Sequence, residues 1–191
     1  MKKTISIFLA VILSSAFVFA QDVQIPDFKM SPMLIKKDGS LSKLEKPTME
    51  IKSKTKGFSY GASVVTFLNL LGGHSPVKID PSDAQFIIKL NDAETDPEGI
   101  LYLTKVMVAK DTREVELAQS AAAMAGAFGG KGKSVQRDDI AVEYTKVSPG
   151  VYKFVPSTPL TEGTEWALVV RGSNVSFCFA TTGDAKKGKK K

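Results

Sequence analysis

The chain has 191 residues, 43% of them hydrophobic and 24% charged, with a formal net charge of +6 and one cysteine. The single cysteine excludes a disulfide within the chain. A chain of this size buries about two thirds of its unfolded surface, so its hydrophobic core can be stable without disulfides or metal ions. Residues 21–185 carry 19 Lys and Arg against 20 Asp and Glu, a difference of −1. The basic character therefore belongs to the two ends and not to the domain between them.

Residues 1–20 have the three parts of a bacterial-type signal peptide. Lys2 and Lys3 precede a nearly continuous apolar run over residues 5–18, and Ala20 provides the small residue before a cleavage site. No cysteine lies directly after the run, where a lipoprotein would carry one, so a lipoprotein is not expected. No later segment is apolar enough to span a membrane. The sequence predicts a secreted or periplasmic protein that begins at Gln21. The alternative is an uncleaved membrane anchor.

Residues 21–46 are predicted to form an N-terminal arm. Pro26, Pro32 and the Lys-Lys-Asp-Gly-Ser stretch at 36–40 interrupt any long element. The apolar residues within this segment are expected to dock on the main body of the protein.

Residues 47–182 read as short strands between turn signals, with little room for crossover helices. This pattern predicts an all-β, immunoglobulin-like antiparallel β-sandwich, and a barrel is the alternative. The last hairpin is the clearest, because Gly172-Ser173-Asn174 connects two apolar runs. The predicted strands cover residues 49–55, 63–71, 76–79, 84–90, 100–109, 113–117, 140–147, 151–155, 165–171 and 174–180.

One segment interrupts the β pattern. Residues 116–127 are rich in Ala, which favours a helix, and Gly126 is suited to end it. We expect residues 118–138 to form a long, partly helical loop. Such loops often carry function, and an unselected variable loop is the alternative.

Residues 183–191 are predicted to be a disordered basic tail, since five lysines lie in its last six positions. The tail is suited either to contact with anionic surfaces such as lipid headgroups, polysaccharide or nucleic acid, or simply to solubility.

The stretch Gly150-x-Tyr152-x-x-x-Pro156, followed by Leu160, Gly163 and Trp166-Ala167-Leu168, resembles a motif of uncharacterised secreted bacterial β-sandwich proteins. The resemblance covers about 20 residues and has one extra residue after Gly163. It implies a strand-turn-strand unit at the end of a sandwich and implies no catalytic residue. In physical terms Tyr152, Phe154 and Trp166 are expected to be packing residues.

An acidic turn is the one candidate metal site. Its carboxylates alternate along residues 92–98 and have the oxygen ligands that calcium prefers, although Pro97 and Leu103 break the EF-hand pattern. The alternative is a solvated turn. The candidate calcium ligands are Asp92, Glu94, Asp96 and Glu98.

No catalytic residue and no cofactor are predicted from the sequence. His74, the only histidine, is expected in a turn, and Cys178 in a strand as a small buried residue. The sequence favours a non-enzymatic module that binds a protein or a glycan outside the cytosol. One alternative is a glycosidase-like hydrolase using carboxylates such as Asp80, Asp83, Asp92 or Asp96. Another is an assembly subunit whose arm adds a strand to a neighbour.

Overall fold

The computed structural model describes residues 24–56, 63–121, 139–173 and 175–183. Within these residues no helix has the length and apolar character needed to cross a membrane. The predicted signal peptide, residues 122–138 of the predicted loop and residues 184–191 of the predicted tail lie outside the described residues. The strands of the described part are β1 (Met33–Ile35), β2 (Leu41–Lys43), β3 (Met49–Lys56), β4 (Ser63–Leu71), β5 (Lys78–Ile79), β6 (Phe86–Lys89), β7 (Leu101–Lys105), β8 (Met107–Val108), β9 (Thr112–Ala121), β10 (Asp139–Ile140), β11 (Val142–Ser148), β12 (Val151–Pro156), β13 (Glu165–Val170) and β14 (Ser176–Thr181).

The strands form three sheets. Sheet A has the order β11-β12-β6-β1-β2, sheet B the order β10-β7-β13-β14-β5, and sheet C the order β3-β4-β9-β8. Nearly all pairs are antiparallel, and the exception is the parallel pair of β14 with β5. The two 3₁₀ helices, Pro81–Asp83 and Pro97–Gly99, are single turns. The prediction of an all-β fold of packed antiparallel sheets is confirmed, and its immunoglobulin-like detail stays a prediction.

Sheet B is the central layer, because its strands bury both of their faces. All six residues of β13 and all six of β14 are buried. Leu168 and Phe179 belong to the core shared with sheet A. Val169 and Cys178 belong to a second core shared with sheet C. Because side chains alternate across a strand, the two faces of sheet B contribute to two different cores. A two-layer sandwich has only one core.

Two predicted strands are divided where the chain passes from one sheet to another. The segment 100–109 leaves sheet B after β7 and continues as β8 in sheet C, and the break falls at Val106, whose N–H donates to the Glu165 carbonyl (2.9 Å). The segment 140–147 leaves sheet B after β10 and continues as β11 in sheet A, with the break at Ala141. Each break lets one run of chain contribute to two layers.

The prediction of helix within residues 116–127 is wrong over residues 116–121. These residues continue β9, which pairs with β4 along its full length. Pairing with a buried neighbouring strand outweighs the helical propensity of Ala, because propensity amounts to only a fraction of a kcal/mol per residue.

The segment predicted as an arm is described over residues 24–46, and it contributes β1 and β2 to sheet A. The N–H of Met30 donates to the Lys89 carbonyl (2.7 Å), and β1 pairs with β6. Leu34 and Leu44 are buried in the core shared by sheets A and B. This segment therefore contributes strands to its own domain.

Burial on both faces of sheet B predicts that neighbouring residues of β13 contribute similarly to stability. We expect Leu168→Ala to lower the free energy of unfolding by about 3 kcal/mol and Val169→Ala by about 2 kcal/mol, since each creates a cavity in a different core. Urea unfolding measures both. The exposed control Ile51→Ala should stay within about 0.5 kcal/mol of the parent. If Val169→Ala lowered the free energy of unfolding as little as the control does, the result would contradict the presence of a core between sheets B and C.

Candidate functional site

The predicted calcium ligands lie in exposed turns on the way to β7. The Asp92 carboxylate accepts the N–H of Glu94 (3.1 Å), and the Asp96 carboxylate accepts the N–H of Glu98 (3.0 Å). Each aspartate thus closes its own turn. The part of the chain that the structure describes holds no group of three or more acidic, His or Cys side chains placed to bind a metal. The calcium hypothesis gains no support from this arrangement.

The carboxylates predicted for a hydrolase do not share a cleft. Asp80 lines an open groove of about 740 Å³ together with Glu162, whereas Asp83, Asp92 and Asp96 do not line it. Hydrogen bonds from the Ser82 hydroxyl (2.6 Å) and N–H (2.9 Å) hold the pKa of Asp80 below its ordinary value. A glycosidase needs one carboxylic acid with a raised pKa, and Asp80 is shifted in the opposite direction.

A buried ion cluster connects the layers of the protein. The guanidinium of Arg113, which is fully buried, donates to both carboxylate oxygens of Glu45 (2.7 and 2.8 Å) and reaches Glu165 at 3.4 Å. Its Nε donates to the Gly72 carbonyl (2.9 Å). Burial is the largest single influence on Arg113 and opposes its charge, but the hydrogen bonds with Glu45 and the nearby negative charges, among them Glu45 and Glu165, together outweigh it and raise the pKa of Arg113. The bidentate geometry is the one that makes a buried pair tolerable.

His74 contacts this cluster from the solvent side. Its Nδ1 lies 3.1 Å from the Glu165 carboxylate, and 74% of its side chain is exposed. The N–H of Ser75 donates to the same carboxylate (3.1 Å). The position of His74 in a turn was predicted, but its buried partner was not. A histidine oriented by a carboxylate can act as a base, yet no described Ser, Thr or Cys side chain hydrogen-bonds to its ring.

Cys178 lies in the core between sheets B and C, as predicted for a small buried residue. It is fully buried, and burial raises the pKa of its thiol to about 12. A nucleophilic cysteine needs a lowered pKa and access to solvent, so the structure gives Cys178 a packing role.

Removal of the Arg113 guanidinium from the ion cluster should destabilise the protein. We expect Arg113→Met to lower the free energy of unfolding by about 3–5 kcal/mol, because it leaves two carboxylates without their buried partner. The matched control is Lys54→Met, since Lys54 pairs with Glu114 (2.6 Å) at a more exposed position. That variant should lose less than about 1 kcal/mol in the same urea titration. Equal losses of free energy of unfolding in the two variants would show that the buried ion cluster stabilises the protein no more than a surface ion pair does.

The edge strands of the sheets have main-chain N–H and C=O groups that could bind another chain. Strands β2, β5, β8 and β10 form short edges of two or three residues, which protects them from pairing with other chains. The longer edge strands of the described chain are β3 and β11. Lys52 and Lys54 give β3 a charged edge, a feature that discourages pairing.

The direction of the main-chain groups along β11 follows from its pairing with β12. The N–H of Ser157 donates to the Ala141 carbonyl (2.8 Å). Antiparallel strands alternate between hydrogen-bonded and non-hydrogen-bonded pairs, so residues 143 and 145 point their main-chain groups at β12. The residues that point theirs away from β12 are Val142, Tyr144 and Lys146. Among the residues that the structure describes, no backbone group is bonded to these three on that side.

A groove of about 460 Å³ lies beside this open edge. It is formed where the edges of sheets A and B approach, and Tyr144, Glu98 and Arg171 are among its lining residues. The Arg171 guanidinium lies 5.0 Å from the centre of the Tyr102 ring, a cation–π contact that orients it. We call this feature the edge groove.

The Tyr144 hydroxyl is the unusual group of the edge groove. Its ring packs against Phe154 (5.5 Å between centroids), and its oxygen is buried without a hydrogen-bond partner in the described structure. Burial, together with the nearby charge of Glu98, raises the pKa of Tyr144 to about 12, so the hydroxyl keeps its proton. The other buried side-chain atoms without a partner, on Asn69 and Trp166, do not line either groove.

Little in the sequence indicated this site. Tyr144 and Arg171 are separated by 27 positions, and only the folded edges of two sheets bring them to one groove. The sequence predicted a strand over residues 140–147, but a local pattern does not show which edge of a sheet stays unpaired.

Comparison of the chain with protein-family models, curated proteins and solved structures finds no match. The resemblance of residues 150–169 to secreted bacterial β-sandwich proteins therefore stays a prediction. The edge groove and the open edge of β11 have to be interpreted from their own geometry.

Proposed function

We propose that this protein is an exported, non-enzymatic binding module that captures an extended segment of a partner protein by strand addition at β11. The observation that carries the proposal is the open main-chain edge of β11 next to the edge groove. In strand addition the main-chain hydrogen bonds supply affinity and adjacent pockets supply specificity. The edge groove contains Tyr and Arg, the residue types that dominate binding energy at protein interfaces.

The alternatives receive less support from the geometry. Of the four carboxylates suggested for a hydrolase, Asp80, Asp83, Asp92 and Asp96, only Asp80 lines the groove of about 740 Å³, and its lowered pKa does not suit a general acid. The assembly subunit depends on a free N-terminal arm, but within its described part β1 and β2 pair in sheet A of their own domain. Export to the periplasm or the medium is supported by the sequence of residues 1–20 and belongs to the same proposal.

A proline substitution tests strand addition, because it removes one outward N–H from β11. Lys146→Pro leaves the pairing with β12 intact, since the N–H of residue 146 points to the open edge. The probe is a seven-residue peptide of alternating Thr and Val with Gln at its centre, and binding is measured by calorimetry and by shifts of β11 amide resonances. We expect the substitution to weaken binding about tenfold, through the lost hydrogen bond and the bulk of the ring.

The matched control is Thr55→Pro, which removes an outward N–H from the other long edge strand, β3. This variant should bind the peptide as the parent does. Equal weakening by both prolines, or no weakening by Lys146→Pro, would contradict the proposal. Urea unfolding of both variants checks that each remains folded.

A further inference from the structure

We propose that the open groove of about 740 Å³ beside Asp80 and Glu162 is a docking site for residues 184–191 of the same chain, the lysine-rich part of the basic tail. We call it the acidic groove. It shares no lining residue with the edge groove, and the proposal does not depend on strand addition at β11. Three features of the molecule support it: the charge of the groove, its apolar walls, and the place where the chain reaches residue 184.

The charge of the acidic groove is negative. Asp80 and Glu162 line it, and none of its described lining residues is Lys, Arg or His. No ion pair among the described residues includes either carboxylate. Both hydrogen bonds from Ser82 go to Oδ1 of Asp80, so Oδ2 can accept another donor. Lys37 also acts on the charge of Asp80, but its ammonium group pairs with Asp83 at 3.1 Å, and Lys37 does not line the groove.

Apolar surface lies next to these carboxylates. Pro81, Pro156 and Leu160 are among the residues that line the acidic groove. A lysine lays its methylene stem along apolar surface while its ammonium group reaches a polar partner. The combination of apolar walls and carboxylates therefore suits lysine side chains. It does not suit a metal ion, because no group of three or more acidic, His or Cys side chains is placed to bind one among the residues that the structure describes.

The chain itself brings lysines to this groove. Thr182 and Gly183 are the last residues described before the tail, and both line the groove. Gly183, whose φ is +108°, passes so close to Glu162 that a Cβ added at residue 183 would lie 2.7 Å from the Glu162 Cβ. Lys186 and Lys187 follow three and four positions later, spans of at most about 11 and about 14 Å. Lysine side chains therefore start within reach of the groove.

The covalent connection compensates for the weakness of exposed ion pairs. A single pair of this kind stabilises a structure little. Groups joined by a few residues, however, meet at effective concentrations on the order of millimolar. Residues 184–191 carry five lysines and one aspartate, a formal side-chain charge of +4, so more than one lysine can occupy the groove. A docked tail covers the groove and closes it to cationic segments of other proteins.

Nitrogen-15 relaxation of the tail amides tests the docking. In the unsubstituted protein we expect order parameters above about 0.6 at Lys186 and Lys187, since lower values are those of flexible backbone. The double variant Asp80→Asn, Glu162→Gln removes both charges of the groove and keeps the size of each side chain. It should lower the two order parameters below about 0.5, because the lysines lose their partners.

The matched control is the double variant Asp92→Asn, Glu94→Gln. It removes two carboxylates of an exposed turn that line neither groove and should leave the order parameters of the tail unchanged. Salt provides a second test that alters no residue. Raising the NaCl concentration from about 0.1 to about 1 M shortens the Debye length from about 10 to about 3 Å. In the unsubstituted protein it should have the same effect as neutralising the groove.

A peptide with the sequence of the tail tests whether the groove accepts this segment. The peptide Asp-Ala-Lys-Lys-Gly-Lys-Lys-Lys is added to a variant whose five tail lysines are replaced by Gln, and the amide shifts of Ser157 and Thr158 report binding in the groove. We expect a dissociation constant on the order of 1 mM. Binding to the unsubstituted protein should be at least about threefold weaker, because its own tail already occupies the groove.

Each of the other results would overturn the proposal. Order parameters below about 0.6 in the unsubstituted protein would show that the tail is not docked. Order parameters that the groove variant leaves unchanged would place the docked tail elsewhere. Equal affinity of the peptide for both proteins, or no binding to the glutamine variant, would show that the groove does not hold this segment. Urea unfolding checks that the groove variant stays folded, and if it does not, the salt titration and the peptide decide.

Discussion

The burial of sheet B on both faces is the constraint on which the rest of the structure depends. Every residue of β13 and β14 is buried, so each position along these strands must fit one of two cores. A strand in this situation reads as a continuous apolar run instead of an alternating one. Sheets A and C can then each keep an outer face in water, because their inner faces close the two cores.

The ion cluster is a consequence of this arrangement. Arg113 of sheet C and Glu165 of sheet B meet where the layers join, and Glu45 reaches them from the connection between β2 and β3. A charge in such a position is stable only when hydrogen bonds satisfy it, which the carboxylates and the Gly72 carbonyl do. The cluster thereby fixes the relative positions of three chain segments, and His74 is its solvent-facing end.

Function is then expected at the edges of the layers, because their interiors are closed. The chain passes from sheet B to sheet A at Ala141. As a result β11 is an edge strand of sheet A and lies beside the edge groove. Most other edges are short, and β3 is charged. The edge of β11 differs because the edge groove adjoins it. The proposed capture of an extended segment follows from that combination and from no single residue.

Local patterns in the sequence were sufficient to predict most of the strands. The limits 63–71 of β4 agree with the prediction, as does the hairpin of β13 and β14, because turn residues and apolar runs mark them locally. The third layer was not predictable, since an apolar run does not show whether one sheet or two will cover it. The strand at 116–121 was missed because its pairing with β4 is a long-range contact.

The candidate site was less predictable than the fold. The contacts of the ion cluster join residues 52 to 91 positions apart, and no local spacing indicates such pairs. The residues that sequence patterns favoured, such as Asp92 and Asp96, use their carboxylates to close their own turns. Spacing alone cannot distinguish a turn-closing aspartate from a ligand, because both occur in short polar loops.

Residue-resolved amide hydrogen exchange of the free protein, followed by NMR, is the most direct test of the open edge of β11. Alternation is the expected result: the amides of Glu143 and Thr145 exchange slowly because they donate to β12, and those of Val142, Tyr144 and Lys146 exchange at least about 100-fold faster. Uniform slow exchange along the strand would contradict the account, because it would show that another part of the protein already covers this edge.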